Sequence, residues 1–109
     1  MTCYFLARIT IHDPATYARY LAGTDEPLAR FGARVLAVDE APQVLEGAWP
    51  CSRTVLIEFA DEAAARAWYD SPDYQAVAGY RHRSATTDAV FLKGRAPEFA
   101  GPPPSRERT

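Results

Sequence analysis

Tyr17, Tyr20, Trp68, Tyr69 and Tyr74 fall at helical spacing among short alanine runs. Small residues leave room and tyrosines supply hydroxyls, so this set predicts an aromatic-walled pocket that orients a flat, partly polar ligand. Ordinary core packing, with the hydroxyls reaching solvent, is the plain alternative. His82 follows Arg81 and is the histidine placed to shuttle protons near such a pocket; an exposed helical histidine is its alternative. The candidate set is therefore Tyr74 and His82 as proton carriers, with Tyr17, Tyr20, Trp68 and Arg81 as substrate-binding residues. Arg34, Arg53 and Arg81 can bind a carboxylate, although arginines on sheet edges and helix faces are more often surface charges. Arg8 and Glu58 share an alternation phase on two strands expected to be neighbours. They read as a buried ion pair, either an acid/base pair tuned by burial or a salt bridge inside a dimer.

Other chemistries find no footing. No His, Cys or carboxylate pair has metal-ligand spacing and no glycine-rich phosphate loop is present, so neither a metal nor a cofactor is expected. Cys3 and Cys51 lie far apart and form no motif; a disulfide is not expected, and Cys51 reads as a loop thiol. With 12 basic and 14 acidic residues, a formal charge of −2 gives no electrostatic case for nucleic acid or an anionic membrane. Hydrophobic residues make up 48% of the 109, ample for one folded core, yet no run approaches the roughly 18 apolar residues that span a bilayer. The N-terminus enters a strand without a basic, apolar and cleavable leader, so a cytoplasmic location is the expectation.

The elements that must position these residues follow from periodicity. Residues 3–11 alternate as a first strand, with Phe5, Ala7, Ile9 and Ile11 on one face and Tyr4, Leu6, Arg8 and Thr10 on the other. Asp13-Pro14 starts a helix carrying Tyr17, Tyr20, Leu21, Thr24, Leu28 and Phe31, with a kink or restart expected near Thr24-Asp25-Glu26 because of Pro27, and an end at Gly32. Residues 34–38 form a second strand, 43–46 a short extended stretch, and 53–60 the clearest strand. Asp61 caps a short helix with Ala64, Ala65, Trp68 and Tyr69 on one face. Ser71-Pro72 starts another, running to about Ala85, with Tyr74, Val77, Ala78, Arg81 and Ala85 in a stripe. Residues 88–93 are the last strand. The domain is placed at 1–95, and 96–109, rich in Gly, Pro and charge, reads as a flexible tail.

The order βαββαβ defines an α+β, ferredoxin-like arrangement in which both helical segments cover one face of an antiparallel sheet. The other face, with Tyr4, Leu6 and Leu56, is too apolar to leave in water. A second copy, sheet against sheet, is the economical cover, so a homodimer is expected.

Asp13-Pro14…Tyr17…Tyr20, Val44-Leu45-Glu46-Gly47…Trp49-Pro50, Val55-Leu56-Ile57-Glu58-Phe59 and Trp68-Tyr69…Ser71-Pro72…Tyr74 together resemble the domain-of-unknown-function thirteen-thirty family over roughly residues 2 to 95. That resemblance implies membership of the dimeric α/β-barrel superfamily and hence a dimer, without an established activity. The superfamily includes cofactor-free monooxygenases of polycyclic phenols, haem-degrading monooxygenases, and small isomerases and dehydratases, with sites between helices and sheet. In some phenol monooxygenases a Trp and a Tyr six positions later line the site, a spacing that Trp68 and Tyr74 reproduce; the companion Asn falls near Ala64 here. The axial His of haem-degrading relatives falls at Ala78, which disfavours haem. The expected function is a cofactor-independent isomerase, cyclase or monooxygenase acting on an aromatic or polyketide-like molecule, its substrate an aromatic or carboxylate ligand. A ligand-binding dimer without turnover and a dimerisation scaffold are the alternatives.

Overall fold

Alternation in the first strand decides where the core lies. Cys3, Phe5, Ala7 and Ile9 are all buried, whereas Tyr4, Leu6 and Arg8 are half-buried on the opposite face. A computed structural model describes residues 1–95, so the flexible tail expected at 96–109 lies outside the described residues. The chain runs β1 (Cys3–Ile11), α1 (Pro14–Arg30), β2 (Arg34–Asp39), β3 (Arg53–Phe59), α2 (Glu62–Asp70), α3 (Pro72–Ser84) and β4 (Ala85–Lys93). The four strands form one antiparallel sheet in the order β2-β3-β1-β4, the ferredoxin-like α+β arrangement expected. β1 and β3 are neighbours, with Phe5 opposite Ile57 and Leu6 opposite Leu56.

Each helix start is satisfied as its sequence suggests. The Asp13 carboxylate accepts from the Thr16 N–H, Asp61 from that of Ala64, and the Ser71 hydroxyl from that of Tyr74, so orphan donors are met at every first turn. Pro14 and Pro72 occupy the first helical positions, where no donor is lost. Gly32, at φ +69°, takes the left-handed conformation just beyond α1, and its neighbour Ala33 returns an N–H to the Leu28 carbonyl at 2.9 Å.

Three details depart from expectation. α1 continues through Pro27 without a restart; the buried stripe Tyr17, Tyr20, Thr24 and Leu28 holds it to the sheet on both sides of the proline. The residue four positions back, against whose carbonyl a proline ring would press, is Gly23. β4 begins at Ala85 rather than Asp88, because Ile11, Thr10 and Ile9 of β1 pair with Ala85, Thr86 and Thr87. The His12 and Asp13 N–H groups also donate to the Ser84 carbonyl, at 2.9 and 3.1 Å, which ties the end of α3 to the end of β1. The stretch 43–46 joins no ladder and belongs to the connection between β2 and β3. Among the described residues no helix is long and apolar enough to cross a membrane.

The sheet face away from the helices carries the row Leu56, Leu6, Val90 across three strands, with Tyr4 and Leu92 beside it. Val90 and Leu92 are 52% and 44% exposed. This is the unpartnered apolar face that the alternation predicts.

Candidate active site

Between α1, α3 and the inner face of β1, β2 and β3 lies a cavity of about 350 Å³. Its floor is Phe5, Ala7, Ile9, Val55 and Ile57, and its helical wall is Tyr17, Tyr20, Thr24 and Leu28 from α1. Trp68 closes one end, wedged among Phe59, Phe5 and Tyr74 with ring centroids 5.1, 5.2 and 4.2 Å away. Val35 and Val38 of the edge strand β2 border it and are 51% and 45% exposed, so the cavity opens along that edge. Asp25 and Leu21 complete the lining from exposed positions on α1.

Two arginines give this apolar space its polarity. Arg81, on α3, is 4% exposed; its Nη2 donates to the Tyr74 hydroxyl at 3.4 Å, and its guanidinium lies 5.5 Å from the Tyr20 ring centroid. Arg53, at the start of β3, lies 5.7 Å from the Tyr17 ring centroid and donates from Nη1 to Glu40 at 2.6 Å. The buried Nε atoms of Arg53 and Arg81 and the indole Nε1 of Trp68 have no hydrogen-bond partner. Native structures leave few such groups unpaired, because each costs about 1–3 kcal/mol. All three belong to residues that line the cavity, and all three are enclosed by neighbouring atoms.

The tyrosines form a relay behind and beside these donors. The Tyr20 and Tyr74 hydroxyls are hydrogen-bonded at 2.8 Å, and the Tyr17 and Tyr20 rings lie 5.3 Å apart. Burial raises the Tyr17 phenol above its ordinary value, against the pull of Arg53 and Arg81. Burial, followed by the neighbouring Tyr74, pushes Tyr20 up as well. Both phenols are thus hydrogen-bond donors at neutral pH rather than bases. Burial works against the Arg81 cation, yet the Tyr74 and Tyr20 hydroxyls more than offset it and its pKa lies above the usual value.

The candidate residues separate accordingly. Tyr17, Tyr20, Trp68 and Arg81 come together on the cavity. Tyr74 does not line it: fully buried, it stands behind Tyr20 and Arg81 and bonds to both, which makes it a positioning residue. His82 is exposed and lies outside the cavity, in a second depression with Tyr69, Thr87 and Ala89 whose lining also includes Arg81. Helical geometry explains this, since one step along α3 from the inward Arg81 turns the side chain about 100° away. Partial burial, then the charge of Arg81, lowers the His82 pKa.

The Arg8–Glu58 pair does not form. Register places Arg8 opposite Thr54 and Asp88, and Glu58 opposite Tyr4, four residues farther along β1. Arg8 instead pairs with Asp88 at 3.2 Å and lies 5.1 Å from the Trp49 ring centroid, while Glu58 pairs with Arg34 at 3.1 Å. Shared alternation phase fixes a common face but not a common rung. Cys3 and Cys51 are both free.

Arg53, one of the three arginines that the sequence offers for a carboxylate, lines the cavity with Arg81, whereas Arg34 does not. The signal for Arg53 is its phase: it alternates with Val55, Ile57 and Phe59, the face of β3 turned toward the helices. An arginine in that series must reach into the helix–sheet layer or bend out of it.

The family described as domain of unknown function DUF1330 matches residues 2–95. No curated protein matches the chain. Among solved structures, a protein of unknown function from Rhodopseudomonas palustris superposes with a TM-score of 0.72 at 17% identity, covering 88% of this chain and 84% of its own. A dimeric ferredoxin-like protein of unknown function from Jannaschia gives 0.64 at 17% identity over 86% and 100% of the two chains. SnoaB, a cofactor-independent oxygenase from Streptomyces nogalater, gives 0.62 at 18% identity over 87% and 94%.

Proposed function

The chain belongs to the DUF1330 family, and from that premise we propose that it is a homodimeric, cofactor-independent enzyme acting on an aromatic or polyketide-like small molecule. The carrying observation is the cavity itself: an aromatic and aliphatic enclosure of about 350 Å³ with the cations Arg53 and Arg81 in its lining. A flat ring system fits between the Tyr17 and Tyr20 rings and the strand side chains, with Trp68 at its end. SnoaB's description as a cofactor-independent oxygenase, on a similar fold, supports the reaction class. The dimer rests on the apolar row Leu56, Leu6 and Val90 and on similar structures described as dimeric.

In the oxygenase form of this reading the substrate supplies the electrons. A ring-activated CH₂ gives up a proton to water, the anion passes one electron to dioxygen, and the two radicals join as a peroxide anion that regains a proton to become a hydroperoxide. Loss of a second C–H proton with hydroxide, as water, leaves a carbonyl: R₂CH₂ and O₂ become R₂C=O and H₂O. Tyr17 and Tyr20 would donate to the substrate oxygen and hold the ring in place. In an isomerase or cyclase the same anion would be reprotonated or closed on a carbonyl.

The exposed position of His82 and the second-layer position of Tyr74 favour a second reading, a dimer that binds the guest without turnover. Melting curves and oxygen uptake with electron-rich fused-ring phenols separate the two. An enzyme raises its melting temperature with a compound and converts it, with oxygen uptake or an isomeric product. A binder shows the shift alone. If no such compound moves the melting temperature, both readings fall.

A further inference from the structure

Arg81 holds a full positive charge at 4% exposure, yet it takes part in none of the ion pairs among the described residues. Its partners are a phenol hydroxyl and a tyrosine ring. Neither partner carries a formal charge at neutral pH, so this buried guanidinium has no counter-ion among the described residues. Arg53 shows the same pattern on its inner side: Glu40, 64% exposed, occupies Nη1, while the buried Nε lacks a partner. Both arginines line one cavity, and in each the Nε is enclosed and without a hydrogen-bond partner. Arg30, Arg34 and Arg66, by contrast, satisfy carboxylates at the surface.

From this arrangement we infer that the missing counter-ion is the ligand: a flat ring system bearing a delocalised oxyanion, held between the Arg53 and Arg81 guanidiniums that line the cavity. Two separate cations suit an anion with charge spread over two oxygens, a ring carboxylate or an enolised 1,3-dicarbonyl, or over one oxygen and its ring, a phenolate. Glu40 competes from outside for Arg53, so the outer half of the subsite is partly self-occupied. This deepens the functional reading above and rests on it for the location of the guest. It also supplies what that reading lacks: the cations stabilise the anion that the chemistry must start from.

The test compares three probes: 2-naphthoate, its neutral counterpart 2-naphthamide, and 4-nitrophenol, whose ionised form absorbs visible light. Titration calorimetry on the whole protein is expected to show 2-naphthoate binding about tenfold or more tighter than 2-naphthamide. Bound 4-nitrophenol is expected to shift toward its phenolate spectrum at a pH where the free dye is half ionised. The first result alone identifies a carboxylate, the second alone a phenolate-like ring oxyanion, and either supports the proposal. Arg53→Gln, at a partly exposed site, and Arg81→Met should each erase most of the preference, and Glu40→Gln should raise it. Equal affinity for the acid and the amide together with an unshifted dye, or a preference that survives both arginine substitutions, overturns it. Anion binding without turnover would leave this inference standing and remove the enzyme; turnover of neutral phenols with no charge preference would do the reverse.

Discussion

At Tyr74 the phenol hydroxyl sits between Tyr20 and Arg81 and so fixes two cavity residues from behind. Tyr74→Phe leaves the buried Tyr20 hydroxyl and Arg81 Nη2 short of a partner and should cost about 1–3 kcal/mol of stability, read by denaturant melts. Turnover should fall through misplacement of Tyr20, and an unchanged kcat would remove Tyr74 from the mechanism. Arg81→Met gives the opposite expectation for the unliganded protein. Removing an uncompensated buried charge should leave the melting temperature equal or higher, whereas a loss above about 2 kcal/mol would show that the guanidinium is a structural element with its charge satisfied. His82 carries a pH prediction. Its folded pKa lies below its ordinary 6.5, so the neutral form is favoured by folding. The associated stability is fully present above that value and is lost as pH falls through the folded pKa. Thermal melts across mildly acidic pH should therefore decline less for His82→Gln than for the parent, and parallel declines would contradict the assignment. Tyr17, Tyr20, Trp68 and Arg81 were legible at this scale because helical spacing puts them on inward stripes. His82 was not, since adjacency in sequence on a helix is divergence in space.

Elements impose the next constraint, and α1 and α3 approach closely at Gly23 and Val77. A Cβ on Gly23 would stand 2.9 Å from one Val77 methyl and 3.1 Å from the other, closer than packed carbons tolerate. Val77 is β-branched and stiff in a helix, so it cannot swing aside cheaply. Gly23→Ala should therefore destabilise, overpacking of about 1–3 kcal/mol outweighing a helix-propensity gain of about 0.5–1 kcal/mol. In a Val77→Ala background the clash is gone and the same substitution should stabilise by roughly that gain. A sign that fails to reverse, measured by urea melts of the four proteins, would place the close approach elsewhere. Helix starts, strand phases and the neighbours β1 and β3 were readable because caps, prolines and alternation are local signals. The continuity of α1 through Pro27 was not, because burial on the far side of the proline is a tertiary effect. The partners of Arg8 and Glu58 were missed for a related reason: alternation gives the face of a strand, whereas register needs the whole ladder.

For the molecule as a whole, the two faces of the sheet divide the work. The helix side encloses the cavity, and the outer side presents an apolar row that a second copy would bury. Val90 is already half exposed in the protomer, so Val90→Lys should leave the fold intact while placing an unpaired charge in the interface. Light scattering across a dilution series should show a dimer for the parent and a monomer for the variant; a parent that stays monomeric would refute the dimer. The architecture was readable in the order of elements and in the surplus of apolar residues on one sheet face. The sequence offers Arg53 and Arg81 for a carboxylate, but does not show that residues from such distant segments line one space. Val38, at the open edge of that space, offers the most direct test that it is a binding site. Val38→Trp should fill the mouth while keeping a strand-compatible side chain. With a ligand such as 2-naphthoate at about 100 times its Kd, the parent should gain about 2.7 kcal/mol of stability by mass action. The variant should fold and gain almost nothing, whereas an equal gain in both proteins would contradict the account.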